Sequence, residues 1–226
     1  MNTSVYIIIP AYNEEAVVRK TILQLLEYPY RIVLVDDGST DGTGRATEDL
    51  PVHYIRHAFN LGQGAALQTG IAYAIEKGAA FIVTFDADGQ HDVQDIPQML
   101  DLLNDKNADI VLGSRFLAGS STNMSLTRKL FIQIARLINF IFTGVLLSDA
   151  HNGLRVLNRK AACSIVLTEN GMAHATEILI QARKHHLKIA ERAVRVLYTD
   201  YSRKKGQPLM HGFKIIQYLF LYKLFK

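Results

Sequence analysis

The residues best suited to chemistry are Asp86-Ala-Asp-Gly-Gln90, directly after the apolar run Ala80–Phe85. Two carboxylates two positions apart can share a divalent cation. Mg2+ and Mn2+ favour such oxygen sites, taking few ligands from protein and the rest from phosphates or water. Asp86 and Asp88 are therefore expected to hold Mg2+ or Mn2+, which can neutralise a diphosphate. A calcium loop is excluded, because its sixth position would be His91 and its twelfth Pro97 where glycine and glutamate are needed.

A second acidic pair, Asp36-Asp37-Gly-Ser39, closes the apolar run Arg31–Val35. Such carboxylates can accept from a base N–H or a ribose hydroxyl, and the same segment can equally be a turn with a helix cap. Asn60-Leu-Gly-Gln-Gly64 could present backbone N–H groups to a phosphate, or could simply allow tight backbone packing. Arg115, Arg128, Arg155 and the basic loop Arg203-Lys-Lys205 are candidate phosphate ligands. Glu177 has apolar neighbours at helical spacing and is either an inward functional carboxylate or a helix salt-bridge partner.

These clusters need a frame. Val5–Ile9, Arg31–Val35, Val52–Arg56, Ala80–Phe85 and Ile110–Leu112 read as strands, separated by helical patterns over Glu14–Glu27, Ala65–Glu76 and Ile96–Leu103. Buried strands alternating with helices predict an α/β fold, a mainly parallel sheet with helices on both faces. Ligands of such sheets bind at the carboxyl ends of the strands. That places Pro10-Ala-Tyr-Asn-Glu14, Asp36-Asp37, Asp86–Gln90 and Gly113-Ser-Arg115 around one site. A late strand is expected over Ile189–Tyr198.

The 226 residues suit one domain, and 49% apolar with 20% charged residues is ordinary for a globular chain. The single cysteine, Cys163, excludes an intrachain disulfide and a cysteine zinc site, and suits a reducing compartment. The apolar run near the N-terminus lacks a preceding basic region, so no signal peptide is expected. From Arg183 to Lys226 there are 11 Lys/Arg against 2 Asp/Glu, whereas the rest of the chain is net acidic. Such a tail suits an anionic partner.

Leu126–Leu147 is apolar but interrupted by Lys129, Gln133, Arg136, Asn139 and Thr143, which share one helical face. Arg136 alone opposes insertion by about 2.5–3.5 kcal/mol, and with Gln133 and Asn139 added the sum with the apolar residues is near zero. The expectation is an amphipathic helical segment over 123–147, lying in a membrane interface or packed on the sheet, and not a span. A final amphipathic basic helix is expected over 211–226, after a catalytic domain over 1–210.

Together, Ile9-Pro-Ala-Tyr-Asn-Glu-Glu15, Val35-Asp-Asp-Gly-Ser-Thr-Asp-Gly-Thr43, Asn60-Leu-Gly-Gln-Gly64, Phe85-Asp-Ala-Asp-Gly-Gln-His-Asp92 and Gly113-Ser-Arg115 resemble family 2 glycosyltransferases in type and order. The likeness extends from about Val5 to Gly206. It is strongest to the branch containing dolichol-phosphate mannose synthase and the bacterial polyprenyl-phosphate glycosyltransferases.

The resemblance implies a GT-A fold and a nucleotide-sugar donor, UDP- or GDP-linked. Pro10, Tyr12, Glu14, Asp36 and Asp37 would contact the nucleoside. Asp86, Ala87, Asp88 and Gln90 would handle metal and diphosphate, and Arg203 would clamp the diphosphate. Ser114, Arg115 and Arg128 would hold the acceptor phosphate, with Arg115 at the reacting centre and Glu177 the candidate general base. The family's Gly-Phe-Arg element is matched by Gly153-Leu-Arg155.

The implied reaction is inverting transfer of one sugar to a polyprenyl phosphate by a peripheral enzyme at the cytoplasmic membrane face. A membrane-protein partner or a second copy would assist attachment. The alternative is transfer to a saccharide or protein acceptor in cell-surface polysaccharide synthesis. A binding module gripping nucleic acid fits less well, since it leaves the strand-end acidic clusters unused, and no nucleic-acid partner is expected.

Overall fold

The computed structural model describes residues 4–124, 126–149, 152–198 and 201, except the side chains of residues 128, 131, 138 and 142. The centre is β1 (Val5–Ala11), buried along its whole length. Ile7, Ile8 and Ile9 lose essentially all solvent contact, each worth roughly 1.5–3 kcal/mol.

Around β1 assemble β2 (Arg31–Asp36), β3 (His53–Arg56), β4 (Phe81–Thr84), β5 (Ile110–Ser114), β7 (Arg155–Asn158) and β8 (Ile189–Ala193). The sheet order is β3-β2-β1-β4-β7-β5-β8. All neighbours are parallel except β7, which runs antiparallel between β4 and β5. A small separate ribbon pairs β6 (Ser121–Thr122) with β9 (Arg195–Val196).

Helices cover both faces, as the alternating pattern predicts. On one face α1 (Val18–Leu25) turns Val18, Ile22 and Leu25 inward, and α3 (Asp95–Asp105) turns in Ile96, Met99 and Leu103. On the other lie α2 (Gln63–Glu76), α5 (Arg159–Ser164) and α6 (His174–Lys184), contributing Leu67, Ile71, Ala161, Ile178 and Leu179.

Two elements depart from expectation. The strand β7 has four residues, one of them a buried arginine, so it carries no apolar run to announce it. The late strand over Ile189–Tyr198 is two strands, β8 and β9, broken at Val194, whose side chain enters the core.

The helix α4 (Leu126–Thr143) is amphipathic, with its polar side turned inward. Asn139 is 1% exposed and Thr143 is buried beside it. Outside, Leu126 (82% exposed), Leu130 (63%), Leu137 (61%) and Ile141 form an apolar stripe facing away from the body. No helix among the described residues is long and apolar enough to cross a membrane. The expected helix over 211–226 lies outside the described residues.

Candidate active site

The carboxyl ends of β1, β2 and β4 converge. Past β1, the N–H of Asn13 donates to Ser39 Oγ and that of Glu14 to Thr43 Oγ1, at 2.9 and 2.8 Å, stitching the Pro10–Glu14 loop to the loop after β2. Asn13 adopts the left-handed conformation (φ 55°) there. Pro10 and Glu14 are buried while Tyr12 is exposed at the rim. Tyr201 returns to this edge: its hydroxyl donates to Glu14 Oε2 at 2.9 Å and to the Asn13 carbonyl at 3.3 Å. Burial first, then Glu14, raises the Tyr201 pKa well above its ordinary value.

At the end of β2 both carboxylates are enclosed and occupied by this chain's own donors. Asp36 accepts from the Ser39 N–H (2.8 Å) and the Tyr54 hydroxyl (2.5 Å). Asp37 accepts from the N–H groups of Leu61 (3.0 Å) and Gly62 (2.7 Å) and lies 2.7 Å from His57 Nδ1.

The Gly64 N–H donates to the Asn170 carbonyl at 2.7 Å, and the Asn170 carbonyl also fills the space a Gly62 Cβ would need. Gly62 has φ 110°, a conformation that favours glycine. Of the two readings of Asn60–Gly64, tight packing is the one observed: Leu61, Gly62 and Gly64 spend their N–H groups on Asp37 and Asn170.

At the end of β4 the pattern differs. Asp86 Oδ1 accepts from Gln63 Nε2 and Oδ2 meets His91 Nε2, both at 3.0 Å. Gly153 packs so closely on this carboxylate that any Cβ would collide with it. Burial pushes Asp86 up, but the His91 hydrogen bond and charge, with Arg155 and His174, outweigh it and hold the group below the usual range. Asp88 goes the other way: burial, then the Asp86 charge, push it up to about 6.

Asp88 accepts from the Gln90 N–H (3.1 Å) and side-chain amide, so Asp88 and Gln90 already share one loop. Two neighbouring carboxylates driven apart in pKa are what a cation would relieve. No group of three His, Cys, Asp or Glu able to enclose a metal exists among the described residues. Mg2+ and Mn2+ take few ligands from protein and complete their shells with phosphate and water. The Ala87 carbonyl is fixed by Thr21 Oγ1 at 3.1 Å, and the Gln90 carbonyl by the Leu197 N–H at 3.0 Å.

Beyond β5 the expected acceptor residues separate. Arg115 donates Nε and Nη2 to Asp149 (2.6 and 2.7 Å) and Nη1 to Tyr198 (2.8 Å). Burial works against its charge, Asp149 outweighs burial, and the pKa lies above the ordinary value. One hydrogen on each terminal nitrogen remains to donate. Ser114 is drawn inward: its hydroxyl is fully buried, 2.6 Å from Ser148 Oγ, which donates to Glu191 at 2.6 Å.

Glu177 is also engaged within the fold. Its carboxylate accepts from Thr168 Oγ1 (2.6 Å) and the N–H groups of Thr168 and Glu169, tying the loop before α6 to the helix. The Arg128 side chain and Arg203 lie outside the described residues.

Sequence reasoning missed Gln63, His91, Asp149 and Tyr198. Only the acidic Asp149 between two apolar stretches gave a signal, and its partner Arg115 is 34 residues away in the chain.

The sequence model described as Glycosyl transferase family 2 matches residues 6–166. The chain belongs to that family, and its sheet and helices form the α/β GT-A fold.

Among its relatives, the UDP-N-acetylglucosamine–dolichyl-phosphate N-acetylglucosaminyltransferase of Methanococcus voltae is 35% identical over 98% of this chain and 97% of that one. The undecaprenyl-phosphate mannosyltransferase of Micrococcus luteus is 29% identical over 91% of this chain and 86% of that one. Among solved structures, glucosyl-3-phosphoglycerate synthase from Mycobacterium tuberculosis with Mn2+, UDP-glucose and phosphoglyceric acid is similar with a TM-score of 0.74. It shows 17% identity and covers 97% of this chain and 78% of that one.

Proposed function

We propose that this chain moves one sugar from a UDP- or GDP-linked donor to a polyprenyl phosphate at the cytoplasmic face of a membrane. The observation that carries this reading is the outward apolar stripe of α4, Leu126 to Ile141. In sequence α4 lies between Arg115 and Asp149, which are locked together at the acceptor side. Relatives named for dolichyl- and undecaprenyl-phosphate transfer support the lipid acceptor.

In this reading Pro10, Tyr12 and Glu14 border the nucleoside, with Asp36 and Asp37 shaping the pocket floor by holding its loops. Asp86, Asp88 and Gln90 face the donor diphosphate and hold Mg2+ or Mn2+. When bound, the cation supplies Lewis-acid stabilisation to the leaving diphosphate. Arg115, steadied by Asp149 and Tyr198, directs its remaining donors to the acceptor phosphate, with Arg128 and Arg203 as further phosphate ligands.

A phosphate oxygen attacks the anomeric carbon opposite the diphosphate. The new C–O bond forms as the bond to the nucleoside diphosphate breaks, which inverts the centre. A phosphate monoester is largely ionised near neutral pH, so no side-chain base is needed. Tail charges near an anionic surface would add about 1 kcal/mol each to attachment.

The test mixes purified protein, undecaprenyl phosphate, Mn2+ or Mg2+ and labelled UDP- and GDP-sugars, and counts label in the organic phase. Label from one donor, abolished by EDTA, is the expected result. Donor binding without organic label transfers the reading to a saccharide or protein acceptor. No donor binding ends the transferase reading.

A further inference from the structure

One buried cation has no partner. Arg155 is 3% exposed, yet it forms no hydrogen bond or ion pair with any described residue. Arg115, whose side chain is 9% exposed, has two partners.

Arg155 opens β7, in register with Thr84 of β4 and Leu112 of β5. Its register partners are each two residues short of the strand-end groups, Asp86 on one side and Ser114 on the other. The carboxylates that act on it are Asp86 and Asp149, one from each half of the site, and both are committed elsewhere. Three residues earlier in the same turn, the Asn152 side chain is buried, and its Nδ2 has no hydrogen-bond acceptor. Two sets of orphaned donors in one turn, between a metal-type carboxylate and an acceptor-side arginine, are costly unless a ligand accepts from them.

We propose that Arg155, with Asn152 Nδ2, is a phosphate-binding element at the junction of the donor and acceptor halves of the site. The ligand class is a phosphate oxygen, the chemistry shared by a nucleoside diphosphate and a prenyl monophosphate. This rests on the transferase reading and adds a substrate-binding residue to it. The planar fork of arginine suits two oxygens of one phosphate. Gly153, between the two residues, is held open by Asp86, so the turn and the metal-side carboxylate are set together.

The test compares the full chain with Arg155→Gln and Arg155→Lys, using Mn2+-pyrophosphate and farnesyl phosphate as probes and ligand-free melting as the control. The expected result is a loss of about tenfold to a hundredfold in affinity for one probe with Arg155→Gln, partly restored by Arg155→Lys. The probe that weakens tells which phosphate is held. Ligand-free melting should fall little, because no hydrogen bond to a described residue is lost and Asp86 and Asp149 keep their own partners.

Less than fivefold change for both probes overturns the proposal, as does a large drop in ligand-free melting, which would make Arg155 a structural cation. Failure of the unaltered chain to bind either probe overturns it as well. An Arg155 effect on binding in a chain that forms no lipid-linked sugar leaves this inference standing and removes the transferase reading instead.

Discussion

Two acidic pairs end two neighbouring regions of one sheet and do different work. At β2, Asp36 and Asp37 are sealed in and their oxygens receive Ser39, Tyr54, Leu61, Gly62 and His57. At β4, Asp86 and Asp88 face each other's charge, and Asp88 is pushed up to about 6 by burial and by Asp86. The sequence signature is almost the same: an apolar strand, two aspartates, a glycine. Both pairs receive donors from the fold, so what separates them is the balance. At β2 the donors come from several segments and the carboxylates serve as scaffold. At β4 Asp88 has Gln90 alone against burial and the Asp86 charge, a cost that a cation can remove.

The widest gap between the pairs should appear with Asp88→Asn. Losing a metal-holding charge should cost several kcal/mol of transition-state stabilisation, on the order of 10²–10³-fold in sugar transfer. Metal-free melting should not fall, since the charge removed opposes burial. Transfer at a normal rate would erase the distinction drawn between the pairs.

The mirror experiment is Asp37→Ala. It leaves the Leu61 and Gly62 N–H groups and the His57 ring without their acceptor, at about 1–3 kcal/mol for each buried group left unpaired. Denaturant unfolding should report a total near 3 kcal/mol or more. A stable Asp37→Ala chain with weakened nucleotide binding alone would move Asp37 from scaffold to ligand contact.

Glu177 sharpens the comparison from a third position. Glu177→Gln should lower stability by about 1–2 kcal/mol, because the loop at Thr168 and Glu169 loses a charged acceptor. The pH–rate profile should keep its shape. Disappearance of a limb from that profile would restore Glu177 as a base.

How much of this was legible in the sequence follows from the range of each interaction. Strands β1, β2, β4 and β5 announce themselves because burial on both faces demands continuous apolar runs. Four-residue β7, opening on Arg155, has no such run and exists because β4 and β5 flank it. The period of α4 is local and readable. Which side meets the body is not, because that depends on a surface assembled from distant segments, and here the polar side with Asn139 and Thr143 turned inward. The metal-type loop was legible because its chemistry lies within five residues. The fates of Ser114, Asp37 and Glu177 were not, since each is decided by a partner 8 to 34 residues away.

The smallest effect is also the most direct reading of the β4 pair. A carboxylate binds a cation in its deprotonated form, so proton and metal compete at Asp88. With its pKa near 6 in the metal-free fold, affinity for Mn2+ should begin to fall below pH 6, about two units above where an ordinary aspartate would weaken. At pH 5 about a tenth of the chains would hold Asp88 ionised, which predicts roughly a tenfold weaker apparent affinity than at pH 7. Stability should move oppositely. Because the folded pKa lies above the unfolded one, protonation of Asp88 favours the metal-free fold as pH falls through 6, and that contribution is lost as pH rises. Mn2+ titration and metal-free melting between pH 5 and 7.5 read the two slopes. Opposite slopes mark a carboxylate that the fold keeps for a cation. Affinity that holds level to pH 4 would place Asp88 with Asp37, among the groups the fold has already satisfied.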